Sequence, residues 1–436
     1  MDVPFFPLES IVPSDSTEAL QFLHRAARLL LEYNIRTELI RRRISEVAKV
    51  LGLNVLVAVG YRSVTIYTPE GSHVHAQAPE FRINIAVSSR VNRALDDLCV
   101  GRATLAEANA RLEQAESGAG RHNRWLLAFI FGLAASALAG LFYADAPAVA
   151  IIGVSSALGL LARQELAKRH VMLFALPFTA ALIGSVLGGL LIRFGGTVTP
   201  GICLIVPALM LVPGPHLINA MYDIVENNIQ TGLPRLMLAC TILLAAAMGI
   251  FLGGWLTIGT STVPPWHSRG TEISLLLDVL LAGMASCGFA AFYNAPWRVM
   301  WTSIACGVVG HGIRYLCMQQ GLALEVSTLF ACMAIGIMAS QMVSRVRVPF
   351  AAVAFAGAVP MMPGVLMFQG IGGAMEIALA GAHATPELVA STLASMFKSA
   401  FVVGAMGLGL LLGSWLAERV FGELPKILRA AKRADI

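Results

Sequence analysis

Two short motifs in this chain carry residues that can hold a carboxylate without a metal: Pro213-Gly214-Pro215 and Met361-Met362-Pro363-Gly364, each inside a long apolar run. Proline removes a backbone donor and clashes with the preceding turn, so a helix broken there leaves carbonyls and amides that lipid cannot satisfy. A helix restarting after the pair aims free N–H groups and the positive end of its dipole into the space that the break opens, a seat for a small carboxylic acid. The plainer alternative is a kink, since Pro and Gly are common in membrane helices. Two pairs at matching depth favour binding, which makes Pro213, Gly214, Pro363 and Gly364 candidate substrate-binding residues.

Ionisable residues inside apolar runs are the second chemical signal, because a lone charge at the bilayer centre costs about 2.5 to 3.5 kcal/mol on insertion scales. Five stand out: Asp223, Glu226, Asp278, His311 and Lys398. Asp278 and Lys398 lie at similar depth and read either as a buried structural pair or as coupling groups. Asp223 and Glu226 end one run, where they read as an access point for a proton or substrate, or as loop solvation. His311, between Gly310 and Gly312, titrates near neutral pH in ordinary surroundings; a neutral, hydrogen-bonded helix histidine is the alternative. These five are the candidate coupling or gating residues. No GxxxxGK[ST] phosphate loop occurs, so no nucleotide motif powers the chain, as suits a secondary transporter. No cofactor, metal site or enzymatic centre is expected: His24, His73 and His75 lack Cys or acidic partners at ligand spacing, and none of the seven cysteines forms a CxxC pair.

The elements that must position these groups are membrane helices. Of 436 residues 57% are hydrophobic and only 13% charged, against about a quarter charged in soluble domains. Windows of about 20 residues find ten spans, starting near Trp125, Ala146, Val171, Gly201, Leu236, Ile273, Val299, Leu322, Val348 and Leu393. Five of them are written twice. Tyr143, Pro147, Pro207, Pro213-Gly214, Glu226 and Gly253-Gly254-Trp255 are answered by Tyr293, Pro296, Pro360, Pro363-Gly364, Glu376 and Gly413-Ser414-Trp415. An odd number of spans turns the second copy upside down, and inverted repeats with broken helices are a transporter pattern. Lys and Arg crowd one set of loop ends (Arg121, Arg124, Lys168, Arg169, Arg235, Arg345, Arg419), while the other set holds only Arg193, Arg269 and Arg314. The positive-inside rule then places both termini in the cytoplasm, and the start of the chain shows no cleavable leader pattern. The bias also accounts for the formal charge of +5 without nucleic acid.

Before Trp125 the chain is more polar. Helical spacing over Thr17 to Leu31 and Glu38 to Leu51, three short β-rich runs (Asn54 to Val59, Ser63 to Thr68, His73 to Ala78) and helical spacing again over Ile85 to Cys99 and Thr104 to Glu116 predict a small α+β head. A Ser117-Gly118-Ala119-Gly120 joint follows. The expected fold is mainly α: a polytopic membrane protein with ten transmembrane helices as two inverted five-helix repeats, residues 121–265 and 266–436, behind a cytoplasmic N-terminal α+β domain at residues 1–120.

Residue by residue, the chain resembles the threonine/serine exporter family in its fused form. The head from Leu20 to Glu116 matches with its helix pair and Leu51-Gly52-Leu53 turn. So does Leu211-Val212-Pro213-Gly214-Pro215-His216-Leu217-Ile218-Asn219-Ala220-Met221-Tyr222-Asp223 with Gly232-Leu233-Pro234-Arg235, and Met361-Met362-Pro363-Gly364. Where many family heads carry Ser/Thr-His-Arg-x-Glu, this chain has Thr37-Glu38-Leu39-Ile40-Arg41. The resemblance implies proton-coupled efflux of threonine and serine across a bacterial inner membrane, and it adds Asn219 to the substrate-binding candidates. Relatives split into two partner proteins imply the alternative, a C4-dicarboxylate such as succinate. A membrane-anchored sensing head is the alternative from another class. The expected partners are a small amino acid or carboxylate and the lipid bilayer; a homo-oligomer is left open.

Overall fold

Wherever apolar residues recur every three or four positions the chain is helical, and a single block of alternating residues interrupts that pattern. The computed structural model describes residues 14–79, 81–117, 122–169, 171–259, 273–346 and 350–421. Most of the Ser117 to Gly120 joint, Arg121, Arg269 and the basic tail after residue 421 lie outside them. The chain divides into two compact units, Met1–Arg82 with Val87–Ala119, and Ile83–Ala86 with Gly120–Ile436.

In the first unit α1 (Ser14–Glu32) and α2 (Thr37–Val50) precede strands β1 (Leu56–Gly60), β2 (Ser63–Tyr67) and β3 (His73–Gln77), which form one antiparallel sheet in the order 1-2-3. Helices α3 (Ile85–Cys99) and α4 (Leu105–Glu116) follow. Side chains alternate faces along a strand, so Val64 and Ile66 of β2 are fully buried, as are Leu23, Ala27 and Leu30 of α1 and Ile40, Ile44 and Val47 of α2. Each such aliphatic side chain contributes about 1.5–3 kcal/mol of transfer free energy. Asn34 makes the α1–α2 corner with φ of 58°, a left-handed conformation that Asn tolerates better than branched residues. Thr104 starts α4 with a capping box, its hydroxyl accepting from the Glu107 N–H while the Glu107 carboxylate accepts from the Thr104 N–H.

The second unit is helical among its described residues: α5 (Arg124–Leu141), α6 (Ala146–Lys168), α7 (Ala175–Arg193), α8 (Pro200–Leu209), α9 (Gly214–Val225), α10 (Ile229–Ile258), α11 (Leu275–Phe292), α12 (Trp297–Gln319), α13 (Leu324–Val346), α14 (Phe350–Ala358), α15 (Gly364–Ala380) and α16 (Pro386–Phe421). Eight helices are long and apolar enough to cross a membrane, or up to nine if α8 and α9, bent by 65° at their junction, make one span. This falls short of the ten spans expected from the sequence. The difference lies in α12, whose 23 residues include Arg298, His311 and Arg314, so its length suffices while its composition is too polar for an unaided span.

The doubling is visible in packing. Lipid provides no hydrophobic drive between helices, so membrane helices associate through small residues that let backbones approach. On α10 a Cβ at Gly249 would stand 2.4 Å from the Phe178 carbonyl and 2.9 Å from the Leu182 nitrogen of α7. On α16 a Cβ at Gly409 would stand 2.5 Å from the Leu329 carbonyl and 3.1 Å from the Met333 nitrogen of α13. Gly253 against Ser185 repeats as Gly413 against Met333 and Gly336. Both pairs use a Gly-x-x-x-Gly face, Gly249 to Gly253 and Gly409 to Gly413.

Candidate functional site

Both Pro-Gly pairs break their helices in the same way. Pro213 has φ −79° and ψ 59°, and Pro363 has φ −78° and ψ 45°. The Gly214 N–H donates to the Val212 carbonyl and the Gly364 N–H to the Met362 carbonyl, both at 2.8 Å. Each proline is therefore the centre of an inverse γ-turn, and glycine follows because any side chain there would meet the opposite break. A Cβ on Gly214 would lie 3.2 Å from Met362 and 3.3 Å from Val359; one on Gly364 would lie 2.7 Å from Leu209 and 3.2 Å from Val212. Leu209, Val212 and Gly214 correspond to Val359, Met362 and Gly364 in the second copy. The two breaks thus pack on each other reciprocally, as the same surface does on both sides of a two-fold axis.

The amides differ from the expectation of two open helix starts. At α9 the Gly214 N–H is spent in the γ-turn, Pro215 has none, and the N–H groups of His216 and Leu217 both donate to the Pro213 carbonyl at 3.0 and 3.1 Å. At α15 the Met367 N–H returns to the Pro363 carbonyl at 2.9 Å, while the N–H groups of Val365 and Leu366 have no acceptor among the described residues. The second break keeps an open helix start and the first does not.

The charged groups break the symmetry between the copies. In the first, Asp223 of α9 and Arg235 of α10 are both fully buried, with the Arg235 Nη1 3.0 Å from the Asp223 Oδ2. Gly232 permits the approach of these helices, since a Cβ there would press on Ile224 at 2.7 Å and on the Ala220 carbonyl at 3.0 Å. The Gly-x-x-Arg spacing is thus a close crossing followed, one turn on, by a cation for Asp223. Spacing alone read Asp223 as a terminal access point or a solvated loop residue. The signal for its pairing was Arg235, left among the inside charges.

In the second copy the His311 Nδ1 of α12 stands 3.0 Å from the Asp278 Oδ2 of α11, both side chains nearly buried. The His311 Nε2 is buried, and the ring lies within hydrogen-bonding reach of the Pro360 backbone at the second break. One turn further along α12, Arg314 Nη1 reaches the Met361 carbonyl at 3.5 Å, and a Cβ at Gly310 would meet Met361 at 3.3 Å. Gly310 and Arg314 therefore line the second break. Lys398 is exposed, so the buried pair expected between Asp278 and Lys398 is replaced by Asp278 with His311. Similar depth hid this, because depth along a helix does not tell which way a side chain faces. Asn219 is buried on α9, one turn beyond the first break, and Glu226 sits half-buried at the end of that helix.

Eight or nine apolar spans, paired helix breaks and a small set of buried ionisable groups define a multi-pass membrane transporter. Family comparison is specific: a model described as threonine/serine exporter matches residues 21–256 and a second, described as threonine/serine exporter, ThrE, matches residues 278–416. The chain belongs to the threonine/serine exporter family, with both parts in one polypeptide. No solved structure matches it.

Proposed function

We propose that this protein exports threonine and serine across the bacterial cytoplasmic membrane, driven by proton entry, from a site formed where the two Pro-Gly breaks meet. The reciprocal packing of Gly214 and Gly364 carries the reading, because it brings both irregular backbone segments to one place, and irregular backbone at membrane depth is tolerated where it lines a protein-enclosed or watery site. The open start of α15, with the Val365 and Leu366 amides, receives the substrate carboxylate. Pro213, Gly214, Pro363 and Gly364 shape the site, and Asn219 supplies a polar contact from α9.

The Asp278–His311 pair is the coupling group. Its His311 Nε2 takes and releases the transported proton beside the second break, and Asp278 orients the ring and offsets its charge. The Asp223–Arg235 pair, with Glu226 at the helix end, gates the opposite side, and Lys398 has no assigned step. The two halves are inverted relative to one another, both termini are cytoplasmic by charge bias, and their exchange alternates access. A second reading keeps the architecture and moves a C4-dicarboxylate. It is favoured by Arg314, whose guanidinium at the second break is a fixed cation for a second carboxylate.

Proteoliposomes loaded with radiolabelled threonine or succinate, with a pH gradient imposed, test both readings. Threonine exchange that follows the gradient and is lost in His311→Gln supports the first. Gradient-linked succinate movement without threonine movement installs the second, and threonine exchange indifferent to the gradient refutes proton coupling.

A further inference from the structure

The head unit pairs most of its arginines with acids, as in Arg25–Glu113 at 2.5 Å, Arg28–Glu32 at 3.0 Å and Arg42–Glu46 at 2.9 Å. One region departs from that balance. Arg90 and Arg93 of α3 and Arg111 of α4 line a cleft of about 430 Å³ together with Ala94, Asp97 and Gln114. This is within the range of about 300–1,000 Å³ typical of small-molecule sites. Three guanidinium groups face one carboxylate there, and Asp97 is already shared, 2.7 Å from Arg111 and 3.7 Å from Arg102. Arg93 has no carboxylate partner among the described residues; its Nε is held by the Ser89 carbonyl at 3.3 Å, one turn back on α3, which steadies the side chain and leaves its terminal nitrogens for a ligand.

The arrangement follows from spacing. Arg90 and Arg93 are three apart on α3, with Asp97 a further turn on, so they share one helix face. Arg111 and Gln114 do the same on α4. The rigid fork of arginine matches the oxygens of a phosphate in bidentate fashion. A transported amino acid, with no net charge, gains little from such a surplus of positive charge.

We propose that this cleft is a binding site for a phosphate-bearing anion, distinct from the transport site and with Arg93 as its central contact. The anion is either a soluble phosphorylated small molecule or a phospholipid headgroup, which present the same oxygens.

Pyrophosphate serves as the probe, titrated calorimetrically into the full-length protein in nanodiscs of phosphatidylcholine and, separately, of phosphatidylglycerol. The expected result is saturable binding in phosphatidylcholine that weakens with added salt, falls about tenfold or more in Arg93→Gln and is partly restored in Arg93→Lys. Both variants change an exposed side chain, so an unchanged melting temperature certifies the fold. Equal binding in the two lipids assigns a soluble ligand. Binding suppressed only in phosphatidylglycerol assigns the headgroup. Absence of saturable pyrophosphate binding in phosphatidylcholine, or undiminished binding by Arg93→Gln, overturns the proposal.

Discussion

Removing one member of the Asp223–Arg235 pair tests how much of the first repeat hangs on this buried ion pair. Both side chains are fully buried and 3.0 Å apart, so neither has water to fall back on. Exposed ion pairs are worth about 0–1 kcal/mol. Stranding one charge of a buried pair costs about 3–5 kcal/mol, while replacing both members together is far milder. Arg235→Gln and Asp223→Asn should therefore each destabilise by about 3–5 kcal/mol, and the double variant by much less than their sum. Thermal unfolding of the detergent-solubilised protein, arranged as a double-mutant cycle, reads all three losses. Single losses below about 1 kcal/mol, or additive losses in the double variant, refute the reasoning.

Gly249→Ala and Gly409→Ala place a methyl group 2.4 and 2.5 Å from backbone carbonyls, which cannot swing aside, so each should destabilise by about 1–3 kcal/mol; equal melting of variants and wild type would deny that these faces are as tight as described. Thr104→Ala removes the α4 cap and should cost about 1 kcal/mol, seen as faster hydrogen exchange confined to the amides of α4. The Glu107 carboxylate, held below its ordinary value of 4.5 first by the Thr104 N–H, supports that cap at neutral pH and loses it as pH falls through its lowered pKa, so the protection of the α4 amides, corrected for the intrinsic pH dependence of exchange, should fall in acid before that of the rest of the head.

Much of the head was legible because its elements are short and strongly patterned: the helix over Ile85–Cys99 and strands β2 and β3 stand where periodicity places them. The breaks were legible too, since proline leaves few backbone options. Partner choice was not. Asp278 and Lys398 share a depth, yet helix rotation turns Lys398 outward and brings His311 to Asp278. A sequence carries depth along a helix axis far better than azimuth in a chain apolar on most faces, where no polar stripe marks the outside. For the same reason α12 was read as an ordinary span, although its Arg314 and His311 serve the second break. The use of amides was equally hidden: that Pro213 closes its own helix start while Pro363 leaves two N–H groups open depends on Pro215, a residue the second motif lacks.

The mutual seating of Gly214 and Gly364 also has a thermodynamic side. A contact between identical surfaces would have the same energy before and after two copies traded places, but here Leu209 and Val212 are answered by Val359 and Met362, so the seam itself differs between the copies. Any preference between two such exchanged states must come from what the copies do not share. Among the described residues those differences include the unlike side chains at the seam, the Asp223–Arg235 pair in one copy, the Asp278–His311 pair with Arg314 in the other, and the closed against the open helix start. Under the proposed exchange of access, these unmatched groups set the balance between the two states.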